Sequence, residues 1–217
     1  MAPAPSRMEN HPRLPGTCMT ETRAALRREL RARRREIPAA ERIAAAESLG
    51  RRLLELPFAP TSGHVAGYWA MDGEIALHAW QLRLPSALTY CLPVLCPDER
   101  LRFAPWRPGG ALVTNRFGIP EPDVPLDSLL EPEAMSLVVV PLVGFDASGQ
   151  RLGMGGGWYD RTFAFRKSHA PPPWLVGAAF ATQQCAGIAR QPWDVALDGV
   201  CSERDTFTTK SISTSNP

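Results

Sequence analysis

From Ser136 to Asp146 the chain reads SLVVVPLVGFD, a continuously apolar, β-branched run with no polar alternation. A strand of that composition needs cover on both faces, which places it at the centre of a sheet. At its longest the run is far too short to cross a bilayer. The segments around it alternate in character. His64–Ala70 (HVAGYWA), Ala87–Leu95, Arg100–Trp106 and Trp174–Phe180 (WLVGAAF) read as strands. Thr22–Ile37, Ala39–Leu56, Glu74–Leu84 and Trp158–Ser168 read as helices, the second with Ile43, Ala46, Leu49 and Leu53 inward. Strands alternating with helices predict an α/β fold: a three-layer, Rossmann-like sandwich with a largely parallel central sheet.

The 217 residues suit one domain. Proline is abundant, with 22 residues, roughly twice average usage. Several prolines fall in residues 1–18, which show no apolar periodicity and read as a disordered extension or an over-long gene start before Met19. The single domain is expected over residues 19–205, with 206–217 a flexible polar tail. No apolar run marks a signal peptide. The five cysteines are scattered without metal or redox spacing, as expected for free thiols in a reducing cytoplasm. A net charge of +2 argues neither for nor against a polyanionic partner. Seven arginines between Arg23 and Arg35 read as a solvated cationic face, an RNA-binding arm, or an anion grip by Arg23 and Arg27 one turn apart.

The apolar strand is followed by RLGMGGGWYDR, Arg151 to Arg161, with four glycines in five residues. Open α/β sheets bind ligands at the carboxyl ends of their strands. There, bare backbone amides and a helix start favour anions, and glycine lets a phosphate approach the backbone. The spacing is neither a P-loop nor the dinucleotide fingerprint, so a tight structural turn is the competing reading. Asp160 reads either as a metal ligand or as an acid favouring the helix start.

The loop closely resembles the RLGxGxGYYD signature of the 5-formyltetrahydrofolate cyclo-ligase (5,10-methenyltetrahydrofolate synthetase) family. ALRRELRARR with PAAER, YWAMDGEI, FGIPEP (Phe117–Pro122) and QPWDVALDGV are similar to further family segments, in the same order. The likeness runs from about Arg23 to Arg204. It implies an ATP- and Mg²⁺-dependent cyclisation of 5-formyltetrahydrofolate to 5,10-methenyltetrahydrofolate, with ADP and phosphate released. It also explains why no nucleophile–base pair is visible: such an enzyme positions two substrates and stabilises transferring charge. None of the four histidines, His11, His64, His78 and His169, sits in a motif.

By the same resemblance, ATP binding falls to Arg23, Arg27, Arg151, Leu152, Gly153, Met154, Gly155, Gly156, Gly157, Trp158 and Tyr159. Arg23 is often lysine in the family, and arginine replaces a point charge with a planar fork. Met154 and Gly156 stand where some relatives carry a basic residue, which leaves Arg151 more of the phosphate work. Folate binding falls to Trp69 and Glu74 with Met154, Gly155, Gly156, Gly157 and Trp158. An aromatic face and a carboxylate suit a flat ring with a donor-rich edge. Asp160 and Asp194 match the Mg²⁺ ligands, with Asp198 an alternative second ligand or a strand-end turn. Arg151 and Asp160 are the implied catalytic pair, and Phe117–Pro122 reads as a rigid loop bordering the pocket. The expected partners are the two small substrates, with no membrane and no nucleic acid, and the chain is expected to be a monomer in the cytoplasm. Two rival readings are a non-catalytic folate or nucleotide binder and a relative of the sugar-phosphate isomerases and CoA-transferases.

Overall fold

The computed structural model describes residues 18–209, with side chains from Arg23 onward. Two helices, α1 (Cys18–Arg35) and α2 (Ala39–Leu54), are separated at Pro38, which has no amide hydrogen to continue a helix. The following elements are β1 (Gly63–Ala66), α3 (His78–Gln81), β2 (Leu88–Leu95), β3 (Leu101–Pro105), β4 (Leu112–Thr114) and β5 (Pro120–Pro122). Then come β6 (Met135–Pro141), β7 (Gly144–Phe145), β8 (Arg151–Leu152), α4 (Trp158–Thr162), β9 (Trp174–Ala178), β10 (Gly199–Cys201) and β11 (Thr206–Thr208).

Seven strands form the main sheet in the order β11-β10-β9-β6-β1-β2-β3. The five inner strands run parallel, and β3 and β11 close the edges antiparallel. The apolar run supplies β6 at the middle of this sheet, as its composition requires. Its side chains alternate between faces: Leu137 and Val139 join the core beneath α2 and α3, whereas Val138 and Val140 join the core that includes Phe163 and Val200. Each such fully buried side chain contributes roughly 1.5–3 kcal/mol through burial. The chain leaves β1 toward β2 on one side and β6 toward β9 and β10 on the other. The order therefore reverses between β1 and β6, the kind of switch point at which open α/β sheets form a ligand crevice outside the carboxyl ends of the strands.

Several boundaries differ from those read in the sequence. The apolar run is a strand only to Pro141. Beyond it, the Leu142 and Val143 carbonyls accept from Gln183 Nε2 at 3.0 and 2.8 Å instead of continuing the ladder, and Gly144–Phe145 pairs with Arg151–Leu152. Glu74–Leu77 is not helical: Glu74 accepts from the Met71 amide at 3.0 Å and the Ile75 carbonyl accepts from Tyr68 Oη at 2.7 Å. The helix at Trp158 is one turn, followed by a 3₁₀ segment Ala164–Lys167. Ile43 is 63% exposed, at the solvent edge of the buried stripe Ala45, Ala46, Leu49 and Leu53. The start of the expected tail is a strand, β11, because Phe207 faces inward and packs on Phe145 with ring centroids 5.6 Å apart. Of the extension expected over residues 1–18, Cys18 already belongs to α1; residues 1–17 and 210–217 lie outside the described residues. No helix among the described residues is long and apolar enough to cross a membrane.

Candidate active site

The glycine loop leaves the hairpin β7–β8 and enters α4 at the crevice. Gly155 and Gly157 have φ of +103° and +69°, a region where a side chain is strained. Gly157 is the residue that starts α4. Gly153 is different. Its φ is not left-handed, and an added Cβ would meet nothing within 4 Å. A Cβ on Gly155 would come no nearer than 3.8 Å, to Arg27. The protein's own packing does not demand a bare backbone at Gly153, so that face is open for a ligand. Met154 at the loop's tip is exposed.

Charges converge on this loop from three directions. From α1, Arg27 Nε donates to the Gly153 carbonyl at 2.8 Å, and Arg23 Nη1 donates to Asp194 Oδ2 at 3.0 Å and to the Ala189 carbonyl at 3.3 Å. From β8, Arg151 Nη2 donates to Asp160 Oδ1, which also accepts from the Val195 amide at 3.1 Å. The Gln191 amide donates to Asp194 Oδ2 at 2.8 Å. The Nε atoms of Arg23 and Arg151 are buried with no partner, and a buried donor left unsatisfied costs about 1–3 kcal/mol. Desolvation, then the charge of Arg23, lowers the Arg27 pKa. This is a crowd of cations with unused donors, suited to an anion.

The carboxylates divide by environment. In both Asp160 and Asp194 one oxygen takes every hydrogen bond, and the other accepts none from the described residues. Two hard carboxylates with open oxygens fit Mg²⁺ completed by water and phosphate. No group of three or more His, Cys, Asp or Glu converges among the described residues, so an all-protein metal cage is not formed there. Asp198 is occupied otherwise: it accepts from Arg166 Nη2 with both oxygens, at 3.0 and 2.9 Å, and from the Leu175 amide at 2.9 Å. That geometry favours the strand-end reading.

Across the crevice, the chain leaving β1 carries Tyr68, Trp69 and Glu74. Trp69 meets Trp106 edge to face at 5.7 Å. The Glu74 side chain is only 13% exposed and lies 4.0 Å from Arg34 Nη1; burial raises its pKa. Burial and then the Glu74 charge raise that of Tyr159. The Tyr159 phenol at the glycine loop and the Glu74 carboxylate from the β1 side therefore feel one another. The structure thus gathers Arg23, Arg27, Arg151, Asp160 and Asp194 around the glycine loop, and Trp69 and Glu74 stand on the chain that leaves β1.

Sequence reasoning missed two features, the burial of Arg34 and the stacking of Arg116 on the aromatic rings of the site. Fully buried Arg34 was read only as part of an arginine run. The Phe117 loop reaches the site, with Phe117 edge-on to Trp158 at 6.1 Å and Arg116 stacked over both rings at 5.2 and 5.5 Å. The first had a signal in its helical spacing; the second is a long-range contact without one.

Comparison with known proteins is consistent along the chain. A family model described as the 5-formyltetrahydrofolate cyclo-ligase family matches residues 19–203. A 5-formyltetrahydrofolate cyclo-ligase of Haemophilus influenzae is 34% identical over 182 residues, covering 82% of this chain and 96% of that protein. One from Escherichia coli K12 is 33% identical over 175 residues, covering 79% and 94%. Among solved structures, the 5,10-methenyltetrahydrofolate synthetase of Aquifex aeolicus superposes with a TM-score of 0.73 at 27% identity, covering 87% of this chain and 93% of that one. A synthetase from Mycoplasma pneumoniae shares the fold, with a TM-score of 0.63 at 20% identity over 83% of this chain and 98% of that one.

Proposed function

The chain belongs to the 5-formyltetrahydrofolate cyclo-ligase family, and we propose that it closes the ring of 5-formyltetrahydrofolate to 5,10-methenyltetrahydrofolate at the expense of ATP. The formyl oxygen attacks the terminal phosphorus of ATP and ADP departs, leaving an iminium phosphate. Nitrogen 10 of the folate then bonds to the activated carbon and gives up its proton, and the carbon–oxygen bond breaks as inorganic phosphate leaves with that proton. Phosphorylation turns a poor leaving group into a good one, so the protein's task is to align two substrates and to stabilise spreading negative charge.

One observation carries this reading. Two guanidinium groups, those of half-buried Arg23 and buried Arg151, flank an open glycine loop and each keeps a buried, partnerless Nε. In this reading Arg23, Arg27, Arg151 and the loop amides hold the phosphates, and Trp69 and Glu74 hold the folate ring with Met154–Trp158 along its edge. Asp160 and Asp194 would hold Mg²⁺, which supplies charge neutralisation on the transferring phosphoryl group. Each aspartate already offers one uncommitted oxygen.

The fate of the formyl oxygen tests the proposal. Substrate with heavy oxygen in the formyl group should yield phosphate carrying the label. Label released to water would mean that ring closure proceeds without phosphoryl transfer.

A further inference from the structure

Arg23 and Arg27 do not exhaust the pattern of charge on α1. At about 100° per residue, Arg23, Arg27 and Arg34 fall within about 40° of one another, because separations of four and eleven residues are close to whole turns. Arg34 therefore shares their face, about 16 Å along the axis from Arg23 and about 10 Å from Arg27. It is fully buried, and an unpaired charge there would be costly. Its Nη2 donates to Asp72 Oδ2 at 2.8 Å, its Nη1 donates to the Leu142 carbonyl at 3.4 Å, and its Nε has no partner.

Asp72 does not require Arg34 for neutralisation. Arg31 and Arg35 already donate to it at 2.7 and 2.6 Å. Glu74 has no such surplus: among the described residues Arg34 is its one ion-pair partner, at 4.0 Å. Other groups facing Glu74 are the Asp72 carboxylate on its own loop, the phenols of Tyr68 after β1 and Tyr159 in α4, and the Met71 amide. Burial favours the neutral acid and Asp72 adds like charge, whereas Arg34 and the Met71 amide favour the carboxylate.

We propose that Arg34 is a positioning residue for the folate subsite, holding Glu74 charged and aimed at the substrate while Arg23 and Arg27 on the same helix face serve the nucleotide. One rigid helix would then tie the two subsites together. The inference rests on the folate role proposed for Glu74 above.

The test uses full-length Arg34→Met, Arg34→Lys, Glu74→Gln and the Arg34→Met/Glu74→Gln double variant. The reading is 5-formyltetrahydrofolate binding without ATP, followed by tryptophan fluorescence across pH. Arg34→Met should weaken folate binding about tenfold at neutral pH and move the pH midpoint of binding upward by about one unit. The direction follows from the chemistry: without the cation, Glu74 protonates at higher pH. Arg34→Lys should recover part of the loss, and it keeps the test alive if Arg34→Met does not fold. In the Glu74→Gln background, Arg34→Met should add nothing further. Additive losses, or an unmoved pH midpoint, would overturn the proposal. Failure of the parent to bind any folate would instead overturn the proposed function.

Discussion

Arg23 and Asp194, 171 positions apart in sequence, form an ion pair at 3.0 Å with side chains 14% and 11% exposed. The proposed phosphate-binding cation and the proposed metal ligand thus neutralise each other, and Arg151 and Asp160 do the same beside them. In the proposed function, bound Mg²⁺–nucleotide would exchange these partners: Arg23 and Arg151 would hold phosphate, and Asp160 and Asp194 would hold the metal. Little charge is left unpaired in either state, which limits the desolvation cost of building the site.

The exchange gives Asp160 a defined role. Asp160→Asn should lower turnover by at least about tenfold, with ADP formation falling in step and the Mg²⁺ concentration for half-maximal rate rising. Near-parental activity would leave Asp160 as a structural partner of Arg151 and the Val195 amide.

Arg151→Ala should raise the KM for ATP more than that for the folate, because its guanidinium pairs with Asp160 beside the glycine loop proposed to hold the phosphates. Steady-state kinetics with each substrate varied in turn checks this. Equal losses for both would mean that Arg151 orders the loop through Asp160 and does not read phosphate.

The glycines separate into two kinds. Gly157→Val should destabilise the unliganded protein, since φ is +69° and the new Cβ would lie 2.7 Å from Arg161 Nη1. A Cβ at Gly153 meets no neighbour within 4 Å, so the unliganded Tm of Gly153→Val should stay near the parent's. The variant should nevertheless lose the thermal shift that MgATP gives by binding only the native state. An intact shift in Gly153→Val would remove the phosphate from that face.

Asp198 is predicted to be structural. Its pair with Arg166 is almost fully buried, with side chains 3% and 4% exposed. Removing one partner should cost about 3–5 kcal/mol. Asp198→Ala should therefore lower Tm while the Mg²⁺ dependence of the surviving enzyme stays at the parent's value. A shifted Mg²⁺ midpoint would restore Asp198 to the metal site.

Much of this site was legible locally. The apolar run marked β6, and the glycines after it marked the loop at the carboxyl end of that strand. The pairing of Asp160 with Arg151 lies within nine residues. What stayed hidden depends on tertiary bonds. Glu74–Leu77 carries helical spacing, but Tyr68 and Met71 take up its polar groups. Arg34 sits among six other arginines; its helical spacing puts it on the face of Arg23 and Arg27, but its burial shows only in the tertiary structure. Arg116 and Phe117 reach Trp158 across more than forty residues, a contact for which the sequence holds no period.

The central claim is that ring closure consumes ATP, and the near-ultraviolet absorbance of the methenyl product tests it most directly. Purified protein with 5-formyltetrahydrofolate should develop that absorbance only when MgATP is present, with ADP, phosphate and methenyl product formed in equal amounts. Absorbance rising equally fast without ATP, or ADP accumulating without product, would contradict the account.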